Sequence, residues 1–395
     1  MSKLELGAAV RVYLDYHAST PVDPDVIEEM LPWWRQHTGN PHSEEHSFGW
    51  AAREGIERAK TQIAALIGVD AEDILFTSGA TEANNIALLG LMRFPGRGRN
   101  RLLVSAIEHA SVLGPAFELK SEGVHCDVIP VESDGTLNRD AFLEMLDESV
   151  HLVSVGAVNG EIGTIQDLKW IADRCHEVGA LLHSDCAQAL TAAPELVGDS
   201  GTDLASLSAH KAYGPQGVGA LYIAPGIAKR MAHLTFGGGQ QFGLRPGTLP
   251  TALCVGLGAA CQILSTNGSA EREEISSLRE TLIAAALRTF PKAAINGPRT
   301  NRHPGNISLR IADTDARDII QRLQPSIALS TGSACHSGSH EPSHVLSAIG
   351  LPANQAFASF RIGIGRFTTI SQIETALDSL AIAVLSAGLV GNVGA

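Results

Sequence analysis

The chain predicts an α/β fold with a mostly parallel sheet and a second, smaller α+β domain. Three observations carry that prediction. Short apolar runs alternate with helical stretches through the middle of the chain. Candidate polar residues fall just after those runs. Beyond about residue 265 the pattern changes to shorter strands between helices.

The runs at 101–105, 152–155 and 180–184 have the length and residue types of buried strands, and 167–178 reads as a helix between two of them. Ligands of such sheets gather at the carboxyl ends of the strands. The stretch 252–288 reads as mostly helical, with a break at 266–268, and is long enough to connect two domains. Strands at 306–310 and 360–363 belong to the second domain, on which the first dozen residues are expected to pack. The end, from residue 388, reads as frayed.

With 395 residues, 44% of them hydrophobic, the chain can bury a large core. Its formal net charge of −13 argues against direct nucleic-acid binding as its main task. No run approaches the length needed to span a bilayer, and the start has no long apolar segment after its lysine, so neither a membrane nor a secretory leader is expected. Six scattered cysteines without a C-x-x-C pair read as free thiols of a reducing cytosol, so a cytoplasmic location is expected. Cys175, Cys254 and Cys261 lie in apolar contexts that suit inert core residues.

Lys211 lies between a small-residue strand and a glycine-rich turn, Ala209-His-Lys-Ala-Tyr-Gly-Pro215. Desolvation there lowers a lysine pKa and frees the amine as a nucleophile for carbonyls; a lysine snorkelling at a strand end is the ordinary alternative. Thr77-Ser-Gly-Ala-Thr-Glu82 runs from a strand into a helix whose first N–H groups, with the Thr81 hydroxyl, suit a phosphate or simply an N-cap. Asp185 ends another strand. It either needs a cationic partner, such as a protonated pyridine nitrogen, or caps the next helix. Ser208 and His210 offer further donors to a phosphate. His109 either stacks on a flat ring and shuttles a proton or caps a helix. Cys335 sits in a loop of small residues, poor packing for a buried hydrophobe but suited to a thiol that must travel and react. His336, His340 and His344 recur every four residues, but Pro342 and the glycines oppose a continuous helix, so no metal site is expected.

Together these segments resemble the cysteine desulfurases of the NifS/IscS type, which are class V, fold type I pyridoxal-phosphate enzymes. The resemblance covers nearly the whole chain, from Tyr13-Leu-Asp-Tyr-His-Ala-Ser-Thr-Pro-Val-Asp-Pro24 and Gly39-Asn-Pro-His-Ser43 through Val158-Asn-Gly-Glu-Ile-Gly163 and Gly332-Ser-Ala-Cys335 to Arg361-Ile-Gly-Ile-Gly-Arg-Phe-Thr-Thr369. It implies a large domain over 14–264 with a mostly parallel seven-stranded sheet, and a small α+β domain formed by 1–13 and 265–395 that carries the cysteine loop. It implies Lys211 as the Schiff-base lysine for pyridoxal 5′-phosphate, Asp185 on the pyridine nitrogen, Gln188 on the ring hydroxyl, and His109 stacked on the ring. Ala80, Thr81, Ser208 and His210 would bind the phosphate, and Thr248 the phosphate of the partner subunit's cofactor in a homodimer. Asn159 and Arg361 would meet the carboxylate of the substrate, L-cysteine. Cys335 would take its sulfur as a persulfide, leaving alanine, and pass it to an acceptor protein.

Three departures stand out. Gly160 replaces the second asparagine of the family's Asn-Asn-Glu-Ile-Gly, Cys186 replaces an alanine, and Gln240-Gln-Phe242 replaces a more charged segment. The chain also stops soon after the small domain, where housekeeping members carry a tail that docks the iron–sulfur scaffold. DNA phosphorothioation and tRNA thiolation therefore stand beside iron–sulfur cluster assembly as destinations for the sulfur. The alternatives are a selenocysteine lyase or other class V enzyme, and a sulfur-relay subunit with weakened catalysis.

Overall fold

The computed structural model describes residues 11–94, 98–332 and 341–391. Seven strands form the main sheet: β2 (Ile74–Thr77), β3 (Arg101–Ser105), β4 (His125–Ile129), β5 (Val150–Ser154), β6 (Leu181–Asp185), β7 (Leu204–Ser208) and β8 (Gly219–Ile223). Their order is β2-β8-β7-β6-β5-β3-β4, and β8 alone runs against the rest. Alternate residues of each strand enter two different cores. Leu103, Val153, Leu182 and Ala205 pack on one face of the sheet; Leu102, Leu152, Leu181 and Leu204 pack on the other. A strand turns successive side chains to opposite faces, so a sheet covered by helices on both sides needs apolar residues throughout. That is why these strands read as unbroken apolar runs.

A two-stranded pair joins β1 (Val12–Tyr13) to β11 (Ile327–Ala328), and an antiparallel sheet has the order β12 (Ser359–Gly363), β10 (Asn306–Ile311), β9 (Ala293–Ile295). Val12, Ile307, Leu309, Phe360 and Ile362 share a separate core with the C-terminal helix. Phe360 and Ile362 point into this core, so the residue between them, Arg361, points the other way.

The helix Thr251–Thr289 is continuous over 39 residues, and the break expected at 266–268 is absent. The Thr266 hydroxyl donates back to the Gln262 carbonyl at 3.0 Å, so its polar group is satisfied within the helix. The first half of this helix packs in the main core through Leu257 and Cys261, the second in the smaller one through Leu282 and Ile283. It is one rod shared by both cores. Burial pushes the Cys254 and Cys261 thiols up to about 12, as inert core cysteines require.

The last helix, Ile370–Gly391, reaches into the end expected to fray from residue 388, of which 392–395 lie outside the described residues. Its segment Ile370–Ala387, with mean hydropathy 1.3, is long and apolar enough to cross a membrane by length and composition, which corrects the expectation that no run approaches that size. Ile373, Ala376, Leu380 and Ala383, at helical spacing, are buried in the smaller core.

Candidate active site

The carboxyl ends of β2, β3, β5, β6 and β7 open on one side of the sheet, and a cavity of about 670 Å³ lies there. Its wall includes Ala80, Thr81, His109, Asn159, Asp185, Gln188, Ser208, His210, Lys211 and Arg361. Ten of the residues picked out from sequence therefore meet in one place. Thr248 is not in this wall and is exposed. Cys335, His336 and His340 lie outside the described residues. The chain on either side of Cys335 reaches the cavity, through Gly332 before it and Glu341 to Val345 after it.

The floor is a chain of directed hydrogen bonds. The Ser111 N–H donates to His109 Nδ1 at 3.1 Å, so Nδ1 is bare and the neutral ring carries its proton on Nε2. The Ser111 hydroxyl then donates to the same Nδ1 at 2.7 Å and accepts from Asn84 Nδ2 at 2.8 Å. Asn84 Nδ2 also donates to Asp185 Oδ2 at 2.7 Å. His109 is thus the N-cap of the helix Ala110–Ser121 and at the same time faces the cavity. Burial lowers its pKa, against the opposing charge of Asp185. Asp185 Oδ1 accepts from the Ala187 N–H at 3.0 Å, so this residue too secures the following turn. A carboxylate has about four lone-pair sites, and two are used here.

Lys211 ends a short 3₁₀ turn after β7 and donates to the His17 carbonyl at 2.9 Å. Two residues on, Tyr213 has φ 61°, a left-handed backbone that a non-glycine residue rarely adopts. Three contacts impose it. The Tyr213 N–H donates to Thr20 Oγ1 at 2.8 Å, its hydroxyl accepts from the Arg366 N–H at 2.8 Å, and the Arg366 guanidinium lies 4.1 Å from the ring centre. Ser208 is buried, and the His210 ring sits 3.3 Å from Ser19 Oγ, its pKa lowered by burial and then by Lys211 to about 4.

The outer wall is built differently. Arg361 Nη2 pairs with Asp15 Oδ1 at 3.0 Å, while its Nε is buried with no partner among the described residues. Asn159 uses its amide on the backbone, accepting from the Glu161 and Ile162 N–H groups at 2.9 and 3.0 Å and donating to the Ile107 carbonyl at 3.0 Å. Glu108 and Glu161, which drew no notice in the sequence, are both buried here. Glu108 Oε1 accepts from the Gly156 N–H at 2.7 Å, and Glu161 Oε2 from the Ser343 hydroxyl at 2.9 Å. Their other oxygens have no partner among the described residues. Burial pushes Glu108 up to about 8 and Glu161 up to about 7.

A model of the class V aminotransferases matches residues 12–376. The chain belongs to the class V aminotransferase family. It is 42% identical to the cysteine desulfurase IscS of Rickettsia bellii over 93% of this chain and 89% of that one. Among solved structures it is similar to a NifS-like protein, with TM-score 0.88 and 30% identity over 95% of this chain and 100% of that one. It is also similar to SspA solved in complex with cysteine, with TM-score 0.80 and 32% identity over 91% of this chain and 100% of that one. Within the class V family this chain is a fold type I, pyridoxal-phosphate-dependent cysteine desulfurase.

The donor set of the cavity fits that cofactor. An acid with unused lone pairs faces an amine across the floor, and an imidazole lies beside them. The helix Ala80–Met92 begins at Gly79 with no side-chain cap on its first N–H groups, which leaves them to an anion. Close approach is built in: a Cβ on Gly219 would lie 2.7 Å from Gly79 Cα, so the start of β8 packs directly under that turn. Glu82, in the first turn, is drawn off to Arg245 at 3.1 Å and to the Ser78 N–H.

Proposed function

We propose that this protein converts L-cysteine to L-alanine and holds the released sulfur as a persulfide on Cys335 for delivery to an acceptor. One observation carries the reading. Lys211, Asp185, His109 and Arg361 line a single cavity whose rim is formed by the residues flanking Cys335.

Bound pyridoxal 5′-phosphate supplies an electron sink for the substrate Cα. Lys211 anchors the cofactor and then moves the Cα proton through Nζ. Asp185 keeps a proton on the pyridine nitrogen, and Gln188 donates to the ring hydroxyl. His109 would lie against the cofactor ring as a neutral imidazole with its proton on Nε2, a group suited to proton transfer. Ala80 and Thr81 at the helix start, with Ser208 and His210, hold the phosphate. Arg361 binds the substrate carboxylate together with Asn159, which also shapes the turn at 159–163. The Cys335 thiolate forms the new S–S bond as the Cβ–S bond of the substrate breaks, and the carbon product leaves as alanine after protonation.

The division into a domain over 14–264 and one formed by 1–13 and 265–395 belongs to the same proposal, supported by the two separate cores. A homodimer, with Thr248 reaching the partner subunit's cofactor, is supported by the strongly exposed Phe236 and Phe242 in the same segment. The acceptor belongs to iron–sulfur assembly, tRNA thiolation or DNA phosphorothioation.

Purified holoenzyme should be yellow, and borohydride should fix the cofactor covalently to Lys211. It should form alanine from L-cysteine. Colourless protein, or alanine from selenocysteine alone, would rule the reading out.

A further inference from the structure

His17 lies in the cavity wall and is only 1% exposed. Its carbonyl oxygen accepts from Lys211 Nζ at 2.9 Å and from Gln188 Nε2 at 3.0 Å. Its ring Nδ1 is 3.2 Å from Gln188 Oε1. Chemistry fixes the directions. A carbonyl only accepts, so the nitrogen of the Gln188 amide must face it, and the amide oxygen must then face Nδ1. Nδ1 therefore carries the ring proton. Nε2 is bare and buried with no partner among the described residues. Burial, with the neighbouring His303 and Arg361, keeps the ring neutral. The ring is held edge-on against His303 with centroids 4.5 Å apart, and His303 is itself fixed by Thr191 Oγ1 at 3.1 Å and the Gly305 N–H at 3.0 Å.

Gly160 supplies the other half of the arrangement. A Cβ at that position would lie 2.9 Å from Gln188 Nε2. The position that departs from the family's asparagine is thus the one that leaves room for the amide to lie across to His17.

We propose that His17 and Gly160 act together as positioning residues that lock the Gln188 amide. One amide N–H is held by the His17 carbonyl, and the second is aimed at the cofactor's ring hydroxyl. This inference rests on the functional reading above.

The test compares purified wild-type, H17F, H17N and G160A holoenzymes by the absorption spectrum of the bound cofactor at fixed pH and by cofactor affinity. H17F is expected to shift the absorption band and weaken cofactor binding about fivefold, the worth of one ordinary hydrogen bond. H17N, whose amide N–H can take the place of Nδ1–H, is expected to restore both. G160A should shift the band in the direction of H17F, and in a Q188A background H17F should add nothing. An H17F enzyme with the wild-type band and affinity, or one that H17N does not rescue, overturns the proposal. Should H17F fail to fold, G160A must lose its effect in the Q188A background; an undiminished shift there also overturns it. Wild-type protein that takes up no cofactor would instead refute the functional reading, and this inference with it.

Discussion

The floor and the outer wall of the cavity hold their polar groups differently. On the floor, Asn84, Ser111, His109 and Asp185 form one directed chain with no bond longer than 3.1 Å, and of the link residue Asn84 only Oδ1 is left without a partner among the described residues. In the outer wall, Glu108, Glu161 and Arg361 each keep a buried polar atom without a partner among the described residues. Buried unpaired groups cost free energy, and a chain keeps them where a ligand or a proton completes the set. The floor is thus linked largely within itself, whereas each charged group of the wall leaves an atom for a ligand or a proton to meet.

Breaking each region separately tests that contrast. The largest effects belong to the groups that move protons and sulfur. Lys211→Ala should lower alanine formation by roughly 10²–10⁴-fold, the scale of a lost general acid–base group, measured in a coupled alanine assay. Cys335→Ser should stop persulfide formation yet leave the cofactor colour; full turnover in that variant would contradict its role. In the wall, Arg361→Ala should act mainly on KM for L-cysteine, by about tenfold to a hundredfold, as expected for a charge-assisted contact. On the floor, Asn84→Ala leaves KM nearly unchanged and lowers kcat by about tenfold, because it breaks the link between Asp185 and Ser111. An Asn84→Ala enzyme with altered KM alone would erase the distinction between the two regions.

A smaller effect concerns stability. Folding raises the carboxyls of Glu108 and Glu161 from 4.5 to about 8 and about 7, chiefly by burial. The stability linked to their protons is complete below pH 4.5 and is lost as the pH rises through those values. Burial lowers His183 and His210 to about 4 and His303 to about 3, so their contribution is complete above pH 6.5 and is lost as the pH falls. Thermal melts of the apoprotein should therefore peak between these limbs. Glu108→Gln should flatten the alkaline limb; an unchanged limb would show that Glu108 ionises freely.

Much of this site was legible in the sequence because its residues follow apolar runs. The strand at 101–105 coincides with β3, and Asp185 and Ser208 close strands whose periodicity is plain. What escaped notice depends on distant pairing. Glu161 meets Ser343 across 182 positions, His17 meets Gln188 across 171, and Arg361 meets Asp15 across 346. No local pattern encodes such partners. Asn159, which the resemblance places at the substrate carboxylate, lines the cavity and also ties Oδ1 and one Nδ2 hydrogen to neighbouring backbone groups, bonds that only the folded turn reveals. The supposed break at 266–268 failed because turn-forming residues tolerate a helix when packing on both cores favours it.

The account is tested most directly by a single turnover of the holoenzyme with isotopically labelled L-cysteine, followed by acid quench and peptide mapping. It predicts one alanine formed for each labelled sulfur atom, with that sulfur on Cys335. Alanine formed without labelled sulfur on Cys335, or with the label on another residue, would contradict it.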